Sequence, residues 1–429
     1  MTPEVKKRIE QIRQGIVPEG YKKGKIGIVP IKWNEVPFST LFTSTSEYTD
    51  DLKQYPLYSL TIEDGITAKT ERYERSHLVK KENSYKVVRP NDYAYNPMNI
   101  RFGAVARHKG DIPVAVSGYY DIFTTVHESD LVFMDSFLTY GPMITYYNKV
   151  STGSLVEKQR VHFSDFLEFS LALPPLEERK KIAEILSTQD KAIELQERKI
   201  EELKRFKKGC LEKMFPRKGQ KVPETRFPGF TDDWEQRKLS DLAEKTYGGG
   251  TPTTSNEAYW NGDIPWIQSS DVVDGKLLGV EPRKWITQGG LNNSAAQLIP
   301  ENSIAIITRV GVGKLAFMPY SYATSQDFLS LSKLNVEPFF AVYACYKKLQ
   351  SELNAVQGTS IKGITKDELL AKSIMVPRYA EQQQIGAFFK QLDKLITLHQ
   401  RKLDEMKKQK KALMQLLLTG IVKTKGEVR

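Results

Sequence analysis

The chain has 429 residues, a formal net charge of +11 at pH 7 and only two cysteines. This length predicts two or three domains with separate cores, and two cysteines exclude a disulfide framework or a metal cluster. No apolar run approaches the roughly 18 residues of a membrane span, and the polar N-terminus is not a secretory signal. A reducing cytoplasm is the simplest location, and the basic charge favours a polyanionic partner.

The first residues predict a short helix over 3–14 that Gly15 ends. Residues 12–17 (IRQGIV) resemble residues 417–422 (LLTGIV) near the other end, and a lysine-rich helix precedes each. A circularly arranged repeat would explain this similarity. We therefore expect the two chain ends to meet in space.

Two globular regions, residues 20–172 and 226–375, alternate with two long helical segments, and a polar linker covers residues 216–225. The first region predicts strands at 55–62, 114–116 and 121–126, and a helix over 134–148 that Gly141-Pro142 interrupts. The second region predicts strands at 264–267, 303–308 and 328–334, and an amphipathic helix over 339–353. The two globular regions can be aligned at their first and last residues, but their central parts show no convincing sequence identity.

The helical segments, residues 173–215 and 376–418, are copies of one sequence. Aligned without gaps, they share 13 identities in 43 positions at a constant offset of 203 residues, which indicates duplication. Each has an acid-rich first turn after a proline, as expected at a helix N-terminus. Each would be about 55–60 Å long.

Apolar residues recur every 3.5 positions along both helices, which predicts a coiled-coil seam. Two independent surface helices are the alternative interpretation. Gln196 and His399 occupy equivalent seam positions, and we expect His399 to be structural, because no second ligand lies at metal-binding spacing. The predicted seam consists of Leu186, Ile193, Gln196, Ile200, Leu203, Phe389, Leu392, Ile396, His399, Leu403 and Met406.

Several motifs carry a family resemblance. They are Pro174-x-x-x-Glu178 and Pro377-x-x-x-Glu381, Arg226-Phe-Pro-Gly-Phe230 with Trp234, Gly248-Gly-Gly-Thr-Pro252 with Tyr259-Trp260 and Ile264-Pro-Trp266, Ala323-Thr-Ser-Gln326, and Gly358-Thr-Ser-Ile-Lys-Gly-Ile-Thr365. Together they resemble the specificity subunit of type I restriction–modification systems over nearly the whole chain.

The resemblance implies an α+β fold in which two mainly β target-recognition domains are joined by two long antiparallel helices in a pseudo-twofold repeat. The expected divisions are a first recognition domain with its N-terminal helix, a central helix, a second recognition domain, and a distal helix with a tail. Their boundaries are 1–172, 173–216, 217–375 and 376–429.

The resemblance also implies the function. Each recognition domain would read one half of a bipartite, asymmetric site in double-stranded DNA, while the helices set the separation and bind two methyltransferase subunits. Those subunits would methylate adenine with S-adenosylmethionine, and up to two restriction subunits that use ATP and magnesium could join. No cofactor is expected in this chain.

Basic and polar residues near predicted turns are candidates for DNA contacts, because such side chains bind phosphates and base edges. The Gly248–Thr254 loop could also bring backbone N–H groups to a phosphate. Each candidate has an alternative interpretation as an ordinary surface residue. The candidates are Lys69, Arg72, Arg75, Arg101, Arg107, Lys109, Ser117, Tyr119 and Tyr120 in the first region, and Thr251, Thr253, Thr254, Gln268, Ser269, Ser270, Arg309, Lys314, Gln326 and Lys362 in the second.

No catalytic motif is present. Val310-Gly-Val-Gly-Lys314 lacks the first glycine of a phosphate-binding loop, and Leu315 stands where a magnesium-binding hydroxyl would be needed. Leu173-Pro-Pro-Leu176 lacks the flanks of a methyltransferase tetrapeptide. A non-catalytic DNA-recognition subunit is therefore the leading interpretation, with a coiled-coil scaffold for two protein-binding domains, or an enzyme with a dispersed site, as alternatives.

Overall fold

The structure is a computed structural model that describes residues 2–69, 84–155, 159–355 and 363–424. The chain divides into two compact units: unit 1 takes its described residues from Met1–Leu195 and Asp404–Arg429, and unit 2 is formed by Gln196–Leu403. None of the helices in these ranges combines the length and apolar character that crossing a bilayer requires.

Unit 1 surrounds an antiparallel four-stranded sheet with short helices and smaller sheets. Its elements are α1 (Pro3–Arg13), β1 (Tyr21–Gly24), β2 (Gly27–Pro30), β3 (Asn34–Pro37), β4 (Phe42–Thr45), β5 (Tyr48–Thr49), β6 (Tyr58–Thr61), β7 (Gly65–Ala68), β8 (Tyr85–Val88), β9 (Tyr93–Tyr95), β10 (Val105–Arg107), β11 (Val114–Ser117), β12 (Asp121–Thr125), α2 (Leu131–Phe137), α3 (Gly141–Val150), α4 (Phe163–Leu167), β13 (Ser170–Leu173) and the first part of α5 (Leu176–Lys213).

Unit 2 contains the second part of α5 and a similar arrangement. Its further elements are β14 (Glu235–Lys238), β15 (Ala243–Gly248), β16 (Trp260–Ile267), β17 (Lys284–Ile286), α6 (Gln288–Asn292), β18 (Ser303–Ile307), β19 (Leu315–Met318), β20 (Ala323–Thr324), β21 (Phe328–Leu334), α7 (Pro338–Ala355), α8 (Lys366–Leu370), β22 (Ser373–Val376) and α9 (Tyr379–Leu418), whose last part belongs to unit 1.

The four-stranded sheets of the two units share one strand order. The four-stranded sheet has the order β4-β12-β9-β10 in unit 1 and β15-β21-β18-β19 in unit 2, with every neighbouring pair antiparallel. The later elements keep the 203-residue offset, because α8, β22 and α9 begin 203 residues after α4, β13 and α5. The duplication therefore includes the globular parts, whose side chains have diverged while the strand order has not.

Aromatic side chains fill the core of unit 1 beneath this sheet. Phe38, Phe42, Phe123 and Phe166 are buried and pack mainly edge to face, with ring centroids 4.9–5.7 Å apart. Such pairs add to the free energy gained by burying the rings themselves. In unit 2, α7 covers the equivalent sheet and contributes the buried residues Phe340–Cys345 to the core.

The expected helical segment over 134–148 is confirmed together with its interruption, because α2 ends at Phe137 and α3 begins at Gly141. Gly141-Pro142 forms the first turn of the second helix, where a proline loses no helical hydrogen bond. The other predicted strands and helices are confirmed, with boundaries that differ by a few residues.

The two chain ends meet in unit 1, as expected. Val5 of α1 is fully buried in the same hydrophobic cluster as Leu417 and Leu418 of α9. The Tyr21 hydroxyl donates to the Gly420 carbonyl at 2.8 Å, and the Arg8 guanidinium donates to the carbonyl of Ile421.

A glutamate in the first turn of each long helix binds the globular part of its own unit. In unit 1, Glu178 accepts from the Trp33 indole at 3.3 Å and pairs with Lys32 at 3.2 Å. In unit 2, the equivalent Glu381 forms two hydrogen bonds of 2.7 and 2.8 Å with Arg226. The helix dipole also stabilises a negative charge at these positions.

All eleven predicted seam residues are buried or half-buried. In unit 2, Gln196 Nε2 donates to His399 Nδ1 at 2.8 Å, and Lys207 pairs with Asp393 at 2.5 Å, so α5 and α9 run in opposite directions there. The supercoil that the heptad predicts stays a prediction. His399 bonds to Gln196, consistent with the structural role expected for it.

One ion pair occurs in both units with its charges exchanged between the helices. Lys207 and Asp393 pair in unit 2, and their repeat equivalents Lys410 and Asp190 pair in unit 1, each at 2.5 Å. The unit 2 pair is buried, with side chains 9% and 14% exposed, whereas those of unit 1 are 25% and 52% exposed. Tyr343 of α7 donates to Asp393 at 2.5 Å. Burial is the main cause that raises the pKa of the Tyr343 hydroxyl, and the negative charge of Asp393 raises it further.

We expect Asp393→Asn to destabilise unit 2 by about 3–5 kcal/mol, because it leaves the Lys207 ammonium buried without a counter-charge. The matched substitution Asp190→Asn removes the exposed pair and should cost at most about 1 kcal/mol. Denaturant unfolding of the full chain measures both values, with hydrogen exchange of α7 and α9 locating the effect. Equal losses for the two variants would contradict this prediction.

Candidate nucleic-acid interface

Two parallel strands bring predicted DNA-contacting residues of unit 2 to one edge. β16 and β20 run in the same direction with Ile267 opposite Thr324, and the Ser325 N–H donates to the Ile267 carbonyl at 3.0 Å. The residues that follow each strand therefore emerge together. They are Gln268, Ser269 and Ser270 after β16, and Gln326 after β20.

The glycine-rich loop packs against the same edge. The Gly250 N–H donates to the Thr324 carbonyl at 2.8 Å, and the Trp266 indole donates to the Gly250 carbonyl at 3.0 Å. A Cβ at Gly249 would overlap the Ser325 carbonyl oxygen. Close backbone contact thus explains these glycines, and the Gly250 N–H is not available to a phosphate as the sequence had suggested.

Beyond the glycines, the loop contacts a second predicted residue directly. The Thr251 hydroxyl donates to Gln326 Oε1 at 2.6 Å, and both side chains are exposed. Thr253 and Thr254 continue the loop and are also exposed.

The turn between β18 and β19 lies beside this pair. The Thr308 N–H and hydroxyl donate to the Asp327 carbonyl at 2.7 and 3.0 Å. The turn carries Arg309, which is exposed, and Lys314, which is half-buried. We call the set Thr251–Thr254, Gln268–Ser270, Arg309, Lys314 and Gln326 the polar edge of unit 2. The predicted Lys362 lies outside the described residues.

Two tryptophans and a lysine support the loop of the polar edge. The rings of Trp260 and Trp266 are perpendicular, with centroids 5.2 Å apart, and the Lys284 ammonium lies 5.6 and 5.8 Å from them. The Trp260 indole donates to the Thr253 carbonyl at 3.2 Å. A cation over aromatic faces gains electrostatic stabilisation, so Lys284 adds positive charge here in an ordered position.

The topologically equivalent edge of unit 1 is aromatic. Tyr119 and Tyr120 immediately precede β12, as Gln326 and Asp327 immediately precede β21, and Tyr119 is 47% exposed. Burial raises the pKa of Tyr120, whose hydroxyl bonds to Asn96, so this phenol stays neutral at physiological pH. We call Tyr48, Lys86, Asn96, Arg101, Phe102, Tyr119 and Tyr120 the aromatic edge of unit 1.

Cationic side chains on the aromatic edge are held by neighbours. Arg101 donates to Gln159 Oε1 at 2.7 Å and lies 4.7 Å from the Phe102 ring centroid. Lys86 donates to the Tyr120 carbonyl at 2.7 Å and lies 5.5 Å from the ring centroid of Tyr48. Such ordering reduces the entropy that a contact with a ligand would cost.

The remaining candidates of unit 1 lie elsewhere. Arg107, at the other end of β10 from Arg101, forms a two-pronged ion pair with Asp135, and Lys109 lies 3.5 Å from the same carboxylate. Ser117 accepts from the Tyr119 N–H at 3.3 Å. Lys69 is exposed after β7. Arg72 and Arg75 lie outside the described residues.

Sequence reasoning missed four residues of the aromatic edge, namely Tyr48, Lys86, Asn96 and Phe102, and it missed Lys284 beside the polar edge. Tyr48 and Lys86 are 38 positions apart and meet only because β5 pairs with β8. Lys284 reaches the tryptophans because β17 pairs with β16. The Tyr259-Trp260 and Ile264-Pro-Trp266 motifs were the only local signal.

Comparisons with known proteins agree with one family. A family model described as the type I restriction modification DNA specificity domain matches residues 136–205 and 231–408, more than half of the chain. The putative type I restriction enzyme MjaX specificity subunit of Methanocaldococcus jannaschii is 25% identical over 437 residues, covering 98% of this chain and 93% of that protein. The EcoR124I/EcoR124II specificity subunit of Escherichia coli is 31% identical over 172 residues, covering 38% and 41%.

Two solved structures have a similar fold. A chain from a structure of type I restriction–modification complex assembly and conformational transition has a TM-score of 0.56 at 19% identity, covering 92% of this chain and 99% of its own. The type I system S subunit from M. genitalium has a TM-score of 0.55 at 12% identity, with the same coverage. At these identities, the similarity establishes the fold alone.

We expect Gly249→Ala to destabilise the polar edge by about 1–3 kcal/mol, because the added methyl group forces the backbone at Ser325 to move. Gly248→Ala is the matched control, since nothing lies within 4 Å of its Cβ position, and it should change stability by less than about 0.5 kcal/mol. Thermal unfolding and hydrogen exchange at residues 323–327 distinguish the two variants. Unchanged exchange in Gly249→Ala would mean that the loop does not hold this edge.

Proposed function

Since this chain belongs to the family of type I restriction–modification DNA specificity subunits, we propose that each of its units reads one half of a bipartite, asymmetric site in double-stranded DNA. The chain is a non-catalytic subunit, and catalysis resides in partner subunits. The observation that carries the proposal is that two units whose four-stranded sheets have the same strand order have chemically different edges. One edge is aromatic and the other is rich in threonine and glutamine.

The chemistry of the edges suits two different half-sites. Glutamine, serine and threonine side chains of unit 2 donate to and accept from base edges, while Arg309 and Lys314 neutralise phosphates. In unit 1, the exposed Tyr119 offers a flat apolar surface, and Lys86 binds the carbonyl of the adjacent Tyr120. Because the two units have a similar fold but different exposed edges, they would read two unrelated DNA sequences. The net charge of +11 supports affinity that falls with salt concentration.

The two long helices would set the distance between the half-sites. α5 has 38 residues and α9 has 40, which gives helices about 57 and 60 Å long. A DNA turn is about 34–36 Å, so helices of this length span between one and two turns. A fixed spacing follows from a stiff helical connection, because a flexible linker would admit many spacings.

The exposed face of each helix supports the docking of two copies of one partner. Lys191, Leu195, Arg198 and Glu202 are exposed, and at 100° per residue they form one stripe opposite the predicted seam. Each has an identical and exposed equivalent 203 residues later, namely Lys394, Leu398, Arg401 and Glu405. Seam packing explains identical buried residues, and a repeated external contact would explain why an exposed stripe is also identical in both copies.

We assign this stripe to the methyltransferase subunits, one on each copy. They would supply S-adenosylmethionine-dependent adenine methylation, and restriction subunits that use ATP and magnesium would join the same complex. With DNA as its target, the chain would act in the cytoplasm. All cofactor chemistry in this proposal belongs to the partners.

The proposal is tested by mapping N6-methyladenine across the host genome with and without this gene. We expect one split, asymmetric motif to lose methylation on deletion, and exchange of residues 226–375 for those of a relative to change only one half of that motif. An unchanged methylome, in cells where the methyltransferase partner is expressed, would reject DNA reading and favour a protein scaffold. A change in both halves after the exchange would reject one half-site per unit.

We expect Leu195→Asp or Leu398→Asp to remove one of two methyltransferase subunits, and the double variant to remove both. Each leucine is exposed, by 64% and 52% respectively, and a buried carboxylate at a docking surface weakens binding at least tenfold. Native mass spectrometry of the purified complex counts the subunits. Leu395→Asp is the control, because Leu395 is 40% exposed on the same helix but its equivalent is Ala192. Full assembly of the double variant would contradict the assignment.

A further inference from the structure

Gln326 is an exposed side chain on a rigidly anchored backbone. On its N-terminal side, the Ser325 N–H donates to the Ile267 carbonyl at 3.0 Å. On its C-terminal side, the Asp327 carbonyl accepts from the Thr308 N–H at 2.7 Å and from the Thr308 hydroxyl at 3.0 Å. Both flanking residues are therefore fixed to different strands, while the glutamine itself extends into solvent.

The amide of Gln326 is also oriented. Thr251, which follows the packed glycines, donates to its Oε1 at 2.6 Å. An exposed glutamine normally loses substantial rotamer entropy when it binds a ligand, and here part of that loss has already occurred in the free protein. Side chains ordered in this way contribute more of their hydrogen-bond energy to recognition.

One hydrogen bond leaves most of the amide's capacity unused. A glutamine side chain has two N–H donors and two acceptor lone pairs. Whichever way the amide group is turned, the bond to Thr251 leaves at least one N–H donor and one acceptor lone pair unused. The free amide therefore presents a paired donor and acceptor to any ligand that approaches the polar edge.

This pattern is complementary to adenine. In the major groove, adenine presents the N7 acceptor next to the N6 donor, and glutamine binds both at once. Guanine presents two acceptors, one of which would face the free Oε1 lone pair, and cytosine presents only a donor. We propose that Gln326, oriented by Thr251, reads an adenine in the half-site of unit 2.

The inference rests on the proposed function, and it applies to unit 2 only. The equivalent positions of unit 1 are Tyr119 and Tyr120, which carry no amide. Arg309 lies on the neighbouring turn and would contact phosphate, so its removal should weaken binding to all sequences alike. Adenine recognition by Gln326 should instead appear as a change at a single base pair.

The test uses the complex of the full chain with its methyltransferase subunits. Methylation and competitive binding are measured on duplexes that carry each of the four base pairs at every position of the wild-type motif. In Gln326→Ala, we expect the preference for adenine at one position of one half-site to fall roughly 5- to 150-fold. The other half-site and the spacing should be unchanged.

Two further variants and a control make the outcome specific. Thr251→Val keeps the amide of Gln326 but removes the hydrogen bond that orients it. This variant should therefore lose less of the preference for adenine at the same base pair. Gln326→Glu provides only acceptors, and should shift the preference at that position towards cytosine, whose N4 is a donor. Gln236→Ala changes an exposed glutamine on β14, away from the edge, and should leave every position unchanged.

The outcomes separate this inference from the function that it rests on. If the wild-type complex recognises no split motif, the proposed function fails. If the wild-type complex does so and both Gln326→Ala and Thr251→Val keep its preference at every base pair, only the role of Gln326 is overturned. Binding competition reports the preference even where a variant complex methylates too slowly to measure.

Discussion

The junction between each globular region and its long helix depends on one buried or half-buried carboxylate. Glu381 is fully buried and forms two hydrogen bonds with Arg226, while Glu178 binds Trp33 and Lys32. A charge in this setting needs both a partner and the helix N-terminus to offset its desolvation. The strand that precedes each helix also pairs with a strand that follows a buried tryptophan, β13 with β3 and β22 with β14. These contacts orient each helix relative to the sheet of its own unit.

The two units have kept the same four-stranded sheet and the same junctions between strand and helix since the duplication, but the side chains at equivalent positions differ. The same ion pair is mostly buried beside Tyr343 in unit 2 and partly exposed in unit 1. Even the tryptophans differ, because Arg226 satisfies Glu381 and the Trp234 indole is left without a hydrogen-bond partner, whereas the Trp33 indole donates to Glu178. Strand order tolerates such changes because backbone hydrogen bonds do not depend on side-chain identity. The exposed edges had no such constraint and diverged into different chemistry.

The two edges also illustrate how a small set of exposed residues becomes selective. Backbone contacts at Gly249, Ser325 and Thr308 fix the path of the chain, and the side chains of Thr251 and Gln326 are already bonded to each other. Recognition then requires little further ordering, so differences between bases are not diluted by a flexible side chain. The same reasoning accounts for the ordered positions of Lys86, Arg101 and Lys284 beside aromatic rings.

The sequence by itself determined the long helices, their 203-residue repeat, the buried seam and most strands, because these depend on periodicity within a few turns or residues. It also located the interruption of the helical stretch over residues 134–148, where Gly141-Pro142 opens a second helix. The strand order common to both units, and the edges that it forms, were decided only by tertiary structure. Thr251 and Gln326 are 75 positions apart, and no local pattern records which strands will pair. Side chains so distant in the chain meet only when non-local backbone pairing has placed them at the same edge.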